Sequence, residues 1–143
     1  MDRTLLDTDI YSEILKGRNQ VVARRAADYE NRFGQLIVSV ITMAEIVKGI
    51  QKRGDVAEID KFVLACDLME VLLLDPHSAV IAGRIYGLLE KRGLSIDRAD
   101  PLIAGIAIAN DITLATGNIK HFQRIVDLGF PLRLVNWRDH DDG

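Results

Sequence analysis

The feature that most constrains this chain is a series of short, unbroken apolar runs set between longer stretches of helical period. The runs are Thr4–Leu6, Gln35–Val40, Val71–Leu74, Ile112–Ala115 and Leu132–Val135. They are short and predominantly apolar, as expected for strands buried on both sides. The stretches between them read as helices. Ile10–Leu15 should stop at Gly17, residues 19–32 carry Val21, Val22, Ala26 and Tyr29, and Thr42 opens a helix with Met43, Ile46, Val47 and Ile50 on one face. Further helices are expected around 56–67 and 78–92, and a small-residue helix from Asp97 to Asn110. Strands alternating with helices predict a parallel sheet covered on both faces, a three-layer α/β/α sandwich of four to five strands.

The length of 143 residues suits one domain, assigned to residues 1–137, with a polar tail at 138–143 expected to fray. The longest charge-free stretch, Phe33–Ala44, has 12 residues, too few to cross a membrane. No signal-peptide core fits the first residues, and Cys66 is the single cysteine, which excludes an internal disulfide and a Cys-based zinc site. A reducing, cytoplasmic setting is expected. The formal net charge of −3 argues against a protein that holds nucleic acid by bulk charge.

Ligands of open parallel sheets bind beyond the carboxyl ends of the strands. The first strand delivers Asp7, Thr8 and Asp9 there. The second leads to Ser39, Thr42 and Glu45, and the fourth to Thr116, Gly117 and Asn118. The small-residue helix opens with Asp97 and Asp100. Crowded carboxylates repel and raise one another's pKa, and a divalent cation relieves this. Oxygen donors without a Cys or His pair suit Mg²⁺ or Mn²⁺, and such ions pair naturally with phosphate esters. Each acid also has a purely structural reading. Thr42-x-x-Glu45 is a capping box, Asp97 or Asp100 could cap its helix ahead of Pro101, and Asp9 suits a helix N-terminus. Asp7, ending an apolar strand, has the least obvious structural role.

Four motifs in order resemble the PIN-domain family, and within it the VapC toxins of bacterial toxin–antitoxin systems. They are Leu5-Leu6-Asp7-Thr8-Asp9-Ile10, Ser39-x-x-Thr42-x-x-Glu45, Asp100-x-Leu102-Ile103-Ala104, and Thr116-x-Asn118-x-x-x-Phe122, with Trp137 near the end. The resemblance implies a metal-dependent endoribonuclease whose products carry a 5′-phosphate and a 3′-hydroxyl. It implies Asp7, Glu45 and Asp100 as metal ligands, Asn118 at the fourth catalytic position, and Thr8 and Thr116 as orienting hydroxyls. Asp97, one turn before Asp100, could assist through water. Asn118 adds no charge where other members often have Asp, and Pro101 should bias Asp100 away from helical geometry. The resemblance also implies a VapB-type antitoxin seated in a groove near the acids, and a homodimer. Tyr11, Ile14, Leu15, Ile46 and Ile50 are candidates for apolar contact surface.

RNA would be gripped by Lys48, Lys52, Arg98 and Lys120, with Arg18, Arg53 and Arg124 as further basic candidates. Two rivals stand beside this reading. Asp7-Thr8-Asp9 resembles the opening of haloacid-dehalogenase phosphatases, with Asp7 as nucleophile. A PIN-like protein without catalysis, acting only as a binding partner, is the other. Setting aside the three ligand acids and the tail acids Asp139, Asp141 and Asp142 leaves 15 acids against 18 bases. The negative charge is then largely a metal site and a tail.

Overall fold

The computed structural model describes residues 1–94 and 99–139. In chain order the elements are β1 (Thr4–Leu6), α1 (Thr8–Lys16), α2 (Gln20–Phe33), β2 (Ile37–Ser39), α3 (Val40–Arg53), α4 (Ala57–Cys66), β3 (Glu70–Leu72), α5 (Pro76–Lys91), α6 (Asp100–Ala109), β4 (Thr113–Ala115), α7 (Ile119–Asp127) and β5 (Leu134–Val135). The strands form one five-stranded sheet in the order β3-β2-β1-β4-β5, parallel throughout. All three residues of β1 are buried, and neighbouring residues of a strand face opposite ways, so helices cover both faces of the sheet. This is the expected sandwich.

The local chemistry explains where the elements begin. Ser39 ends β2 and caps α3 at once, its hydroxyl accepting from the Thr42 N–H at 3.2 Å. The second run therefore stops short of Val40, and the expected Thr42-x-x-Glu45 capping box does not form. Gly17 and Gly54 take left-handed φ of 66° and 77° to close α1 and α3. The small-residue helix starts at Asp100. The position before it, Ala99, makes no side-chain cap, and Asp97 lies outside the described residues. Asp100 is helical in spite of Pro101. Both are buried in the first turn, where the missing proline N–H costs nothing.

Helix α7 was not anticipated. Ile119, Phe122, Ile125 and Val126 do recur at helical spacing, and Phe122 and Ile125 are fully buried. The core also seats Tyr29, whose hydroxyl accepts from the Thr4 N–H at 3.0 Å and whose ring lies 5.8 Å from that of Trp137. Among the described residues no helix is long and apolar enough to cross a membrane.

Candidate active site

The sheet order places a switch point between β1 and β4. The chain leaves β1 toward β2 on one side and leaves β4 toward β5 on the other, which opens a crevice at the carboxyl ends of these two strands. Asp7 follows β1 directly, and its N–H extends the pairing to Ala115 O at 2.8 Å. Its side chain is 4% exposed. One carboxylate oxygen accepts from the Thr8 N–H at 2.8 Å, the other from the Thr116 hydroxyl at 2.8 Å. Asp7 is therefore also the N-cap of α1, a structural role that its position after a strand concealed.

Thr8 links this acid to the next. Its hydroxyl donates to Glu45 Oε1 at 2.6 Å and lies 2.9 Å from the Thr42 hydroxyl. A hydroxyl has one hydrogen, so the chain runs Thr42 to Thr8 to Glu45. Glu45 thus points from the middle of α3 toward the crevice. Burial pushes the Asp7 carboxyl up to about 7, and the charges of Asp9 and Glu45 push the same way against the Thr116 and Thr8 hydrogen bonds.

Asp100 reaches the same end of the sheet from the other side. Helix α6 turns through residues 110–112 into β4, so it runs opposite to β4 and its first residue lies by the strand's carboxyl end. Asp100 is 6% exposed, and its Oδ2 lies 3.8 Å from Nδ1 of His121, on the first turn of α7. Asn118 caps α7 without a side-chain capping bond and is exposed, while its N–H donates to the Thr116 hydroxyl at 3.0 Å.

Among the described residues, no three His, Cys, Asp or Glu side chains form a ready-made metal cage. The donor set still fits a hard cation. It is all oxygen, it includes a buried carboxyl whose charge its neighbours resist, and Mg²⁺ needs only one or two carboxylates beside its waters. Asp7, Glu45 and Asp100 are the residues that could hold one.

Lys48, Lys52 and Lys120 are exposed on α3 and α7, while Arg98 lies outside the described residues. A groove of about 720 Å³ runs between α1, α3 and α4, lined by Leu15, Ile46, Ile50 and Phe62 and opening on Thr8 and Glu45. Tyr11 and Ile50 are core residues at 3% and 6% exposure, so neither offers free surface for a second copy. Two features lay beyond the sequence reading. Asp9 holds the turn after β4, accepting from the Gly117 N–H at 2.8 Å through Oδ2. Arg138, expected to fray, is pinned to α1, where its Nε donates to Glu13 Oε1 at 2.9 Å. Neither contact leaves a local signal, because each joins residues more than a hundred positions apart.

The PIN domain family model matches residues 4–128. The chain is similar to ribonuclease VapC1 of Methanocaldococcus jannaschii, 29% identical over 91% of this chain and 86% of that protein. It is 31% identical to ribonuclease VapC1 of Haemophilus influenzae strain R2866 over 87% of this chain and 92% of that one. Among solved structures, VapBC-1 from nontypeable Haemophilus influenzae superposes with a TM-score of 0.78 at 27% identity, covering 95% of this chain and 98% of the other. A match running from β1 through α7 takes in every element that carries an acid of the crevice, and the chain therefore belongs to the PIN domain family.

Proposed function

We propose that this protein is the ribonuclease toxin of a toxin–antitoxin pair, an endonuclease that hydrolyses RNA phosphodiester bonds and is inhibited by a VapB-type antitoxin. The observation that carries the reading is the Asp7–Thr8–Glu45 hydrogen-bond network at the β1/β4 crevice, in which Asp7 is buried. Its context is a chain similar over most of its length to proteins named ribonuclease VapC.

Asp7, Glu45 and Asp100 would hold Mg²⁺ or Mn²⁺, which when bound supplies a Lewis acid for a phosphate oxygen and a water of lowered pKa. The chain's own groups orient the rest. The Thr116 hydroxyl and the Thr8 N–H fix both oxygens of Asp7, and the Thr8 hydroxyl fixes Glu45. The Asn118 amide can accept from or donate to a water beside the scissile phosphate, but adds no fourth negative charge. Lys48, Lys52 and Lys120 offer positive charge to flanking phosphates. Water attacking phosphorus in line with the departing 3′ oxygen leaves a 5′-phosphate and a 3′-hydroxyl. The α1/α3/α4 groove seats the antitoxin segment, which thereby covers Thr8 and Glu45. The setting is the cytoplasm, where such an RNA target is met.

The phosphatase alternative loses its second carboxylate. Asp9, which would have to work beside Asp7, is bound to the Gly117 amide and lies 3.7 Å from the Arg138 guanidinium. The test is cleavage of total RNA by purified protein with and without added Mg²⁺ or Mn²⁺. Asp7→Asn should lower the rate by about 10³-fold or more, several kcal/mol of lost transition-state stabilisation. Equal rates for the two proteins would overturn the assignment. RNA binding by wild type without any cleavage would favour the inactive binding partner.

A further inference from the structure

Arg138 lies beyond the stretch that the family model matches, yet it touches the site from outside. Its backbone is anchored. Trp137 before it is 3% exposed against Tyr29, and its own N–H donates to Asn136 Oδ1 at 3.0 Å. The guanidinium then spans two carboxylates of α1, with Nε to Glu13 Oε1 at 2.9 Å and Nη1 3.7 Å from Asp9 Oδ2. Asp9 is fully engaged in turn. Its Oδ1 accepts from the Ile10 N–H at 2.7 Å and its Oδ2 from the Gly117 N–H at 2.8 Å. Gly117 sits between Thr116, whose hydroxyl donates to Asp7, and Asn118. The packing here is close, since a Cβ at position 117 would meet the Arg138 guanidinium and Asp9 Oδ2 and would push the arginine aside.

We propose that Arg138 is a positioning residue of the active site. It neutralises Asp9 and Glu13, which keeps the Asp9 carboxylate locked on the Gly117 amide. That contact holds the turn between β4 and α7, so the Thr116 hydroxyl stays on Asp7 and Asn118 stays at the rim of the crevice. An arginine suits the task because its planar fork reaches two carboxylates at once, which an ammonium does not. A guanidinium committed to two acids has little charge left for a phosphate, so a direct grip on RNA is the lesser use of this side chain. The proposal rests on the nuclease reading for its catalytic consequence, but its structural half does not.

The experiment compares wild type with Arg138→Ala and Arg138→Lys by two readouts. Amide hydrogen exchange needs no activity. In Arg138→Ala the Gly117 and Asn118 amides should exchange about tenfold faster or more, while those of β1 and β4 keep their protection. RNA cleavage adds the catalytic half. The turnover number should fall about tenfold or more, because small misplacements of orienting groups are costly, with KM within about twofold. Arg138→Lys should recover part of the loss. Unchanged exchange at 117 and 118 overturns the proposal. So does a raised KM at unchanged turnover, which would make Arg138 an RNA contact. A uniform rise in exchange across the sheet, with turnover falling only as folded protein is lost, would reduce Arg138 to a stability role and overturn it too. Faster exchange at 117 and 118 in Arg138→Ala, together with a wild type that cuts no RNA, removes the nuclease reading while leaving the Arg138 contact standing.

Discussion

Asp7 is buried, yet as a metal ligand it would have to be charged. An unfolded chain ionises this carboxyl near 3.8, whereas the folded protein holds its proton up to about 7. Between those values the folded state binds the extra proton, so the metal-free protein loses stability as pH rises through that window. Asp7→Asn cannot ionise and escapes the loss. In EDTA at pH 8 its melting midpoint should therefore lie several degrees above wild type, with about 2–4 °C for each kcal/mol in a domain of this size. The gain should shrink toward pH 4. A variant no more stable than wild type at pH 8 would show that the site tolerates its own charge. The substitution proposed to end catalysis is thus also expected to stabilise the fold, the usual conflict between stability and activity at a functional site. Thr8 gives a second test. Thr8→Val removes the donor to Glu45 and strands the Thr42 hydroxyl, and cleavage should fall about 10–100-fold, as for other groups that orient metal-binding carboxylates. Thr8→Ser keeps the hydroxyl and should stay near wild type, and equal losses in the two variants would assign the effect to packing. Asp7 and Asp100 were legible in the sequence because one stands just past a strand and the other at a helix start, and Glu45 through its spacing from Ser39 and Thr42, although it lies in the middle of α3. The hydroxyl chain from Thr42 was not, because it joins α3 to α1 between residues far apart in sequence.

At the scale of elements, the strands announced themselves through unbroken apolar runs, but they came out shorter than the runs. Ser39 shows why. Its hydroxyl serves the Thr42 N–H, so the chain turns from strand into helix with no loop between, and Val40 changes sides. Helix α7 escaped notice for the opposite reason. It follows the Thr116-Gly117-Asn118 turn, whose chemistry drew the reading, and only Phe122 and Ile125 of its nine residues are buried. The small residues of α6, by contrast, have a reason visible only in the packed molecule. A Cβ on Gly105 would come 2.7 Å from the Ser78 backbone oxygen and 3.1 Å from Ala82, so α5 and α6 approach as closely as their backbones permit. Gly105→Val should destabilise by about 1–3 kcal/mol through overpacking, more than any helix-propensity gain offsets. Because α6 carries Asp100, the forced shift should also lower cleavage, and thermal melting with a rate assay reads both. A variant that melts like wild type would mean the two helices slide apart freely.

The whole molecule resolves the question raised by its charge. The sheet order puts the switch point at β1 and β4, and the candidate ligands Asp7, Glu45 and Asp100 lie there, with Asp9 and Glu13 on the adjoining helix α1. Lys48 and Lys52 lie exposed on α3, the helix that carries Glu45, and Lys120 lies exposed on α7, two residues after Asn118. Such a surface should hold RNA by a few phosphate contacts. Each contact to a single strand contributes about −0.7 to the slope of log affinity against log salt. Measured with Asp7→Asn to prevent cleavage, the slope should be shallow, about −2 if all three lysines engage. Changing Lys48, Lys52 and Lys120 to Gln one at a time should each remove about 0.7 from it and weaken binding to all RNA sequences alike. A steep slope that survives the triple substitution would place the grip elsewhere on the surface. Loss of one RNA sequence only would show that a lysine reads a base and not merely a phosphate.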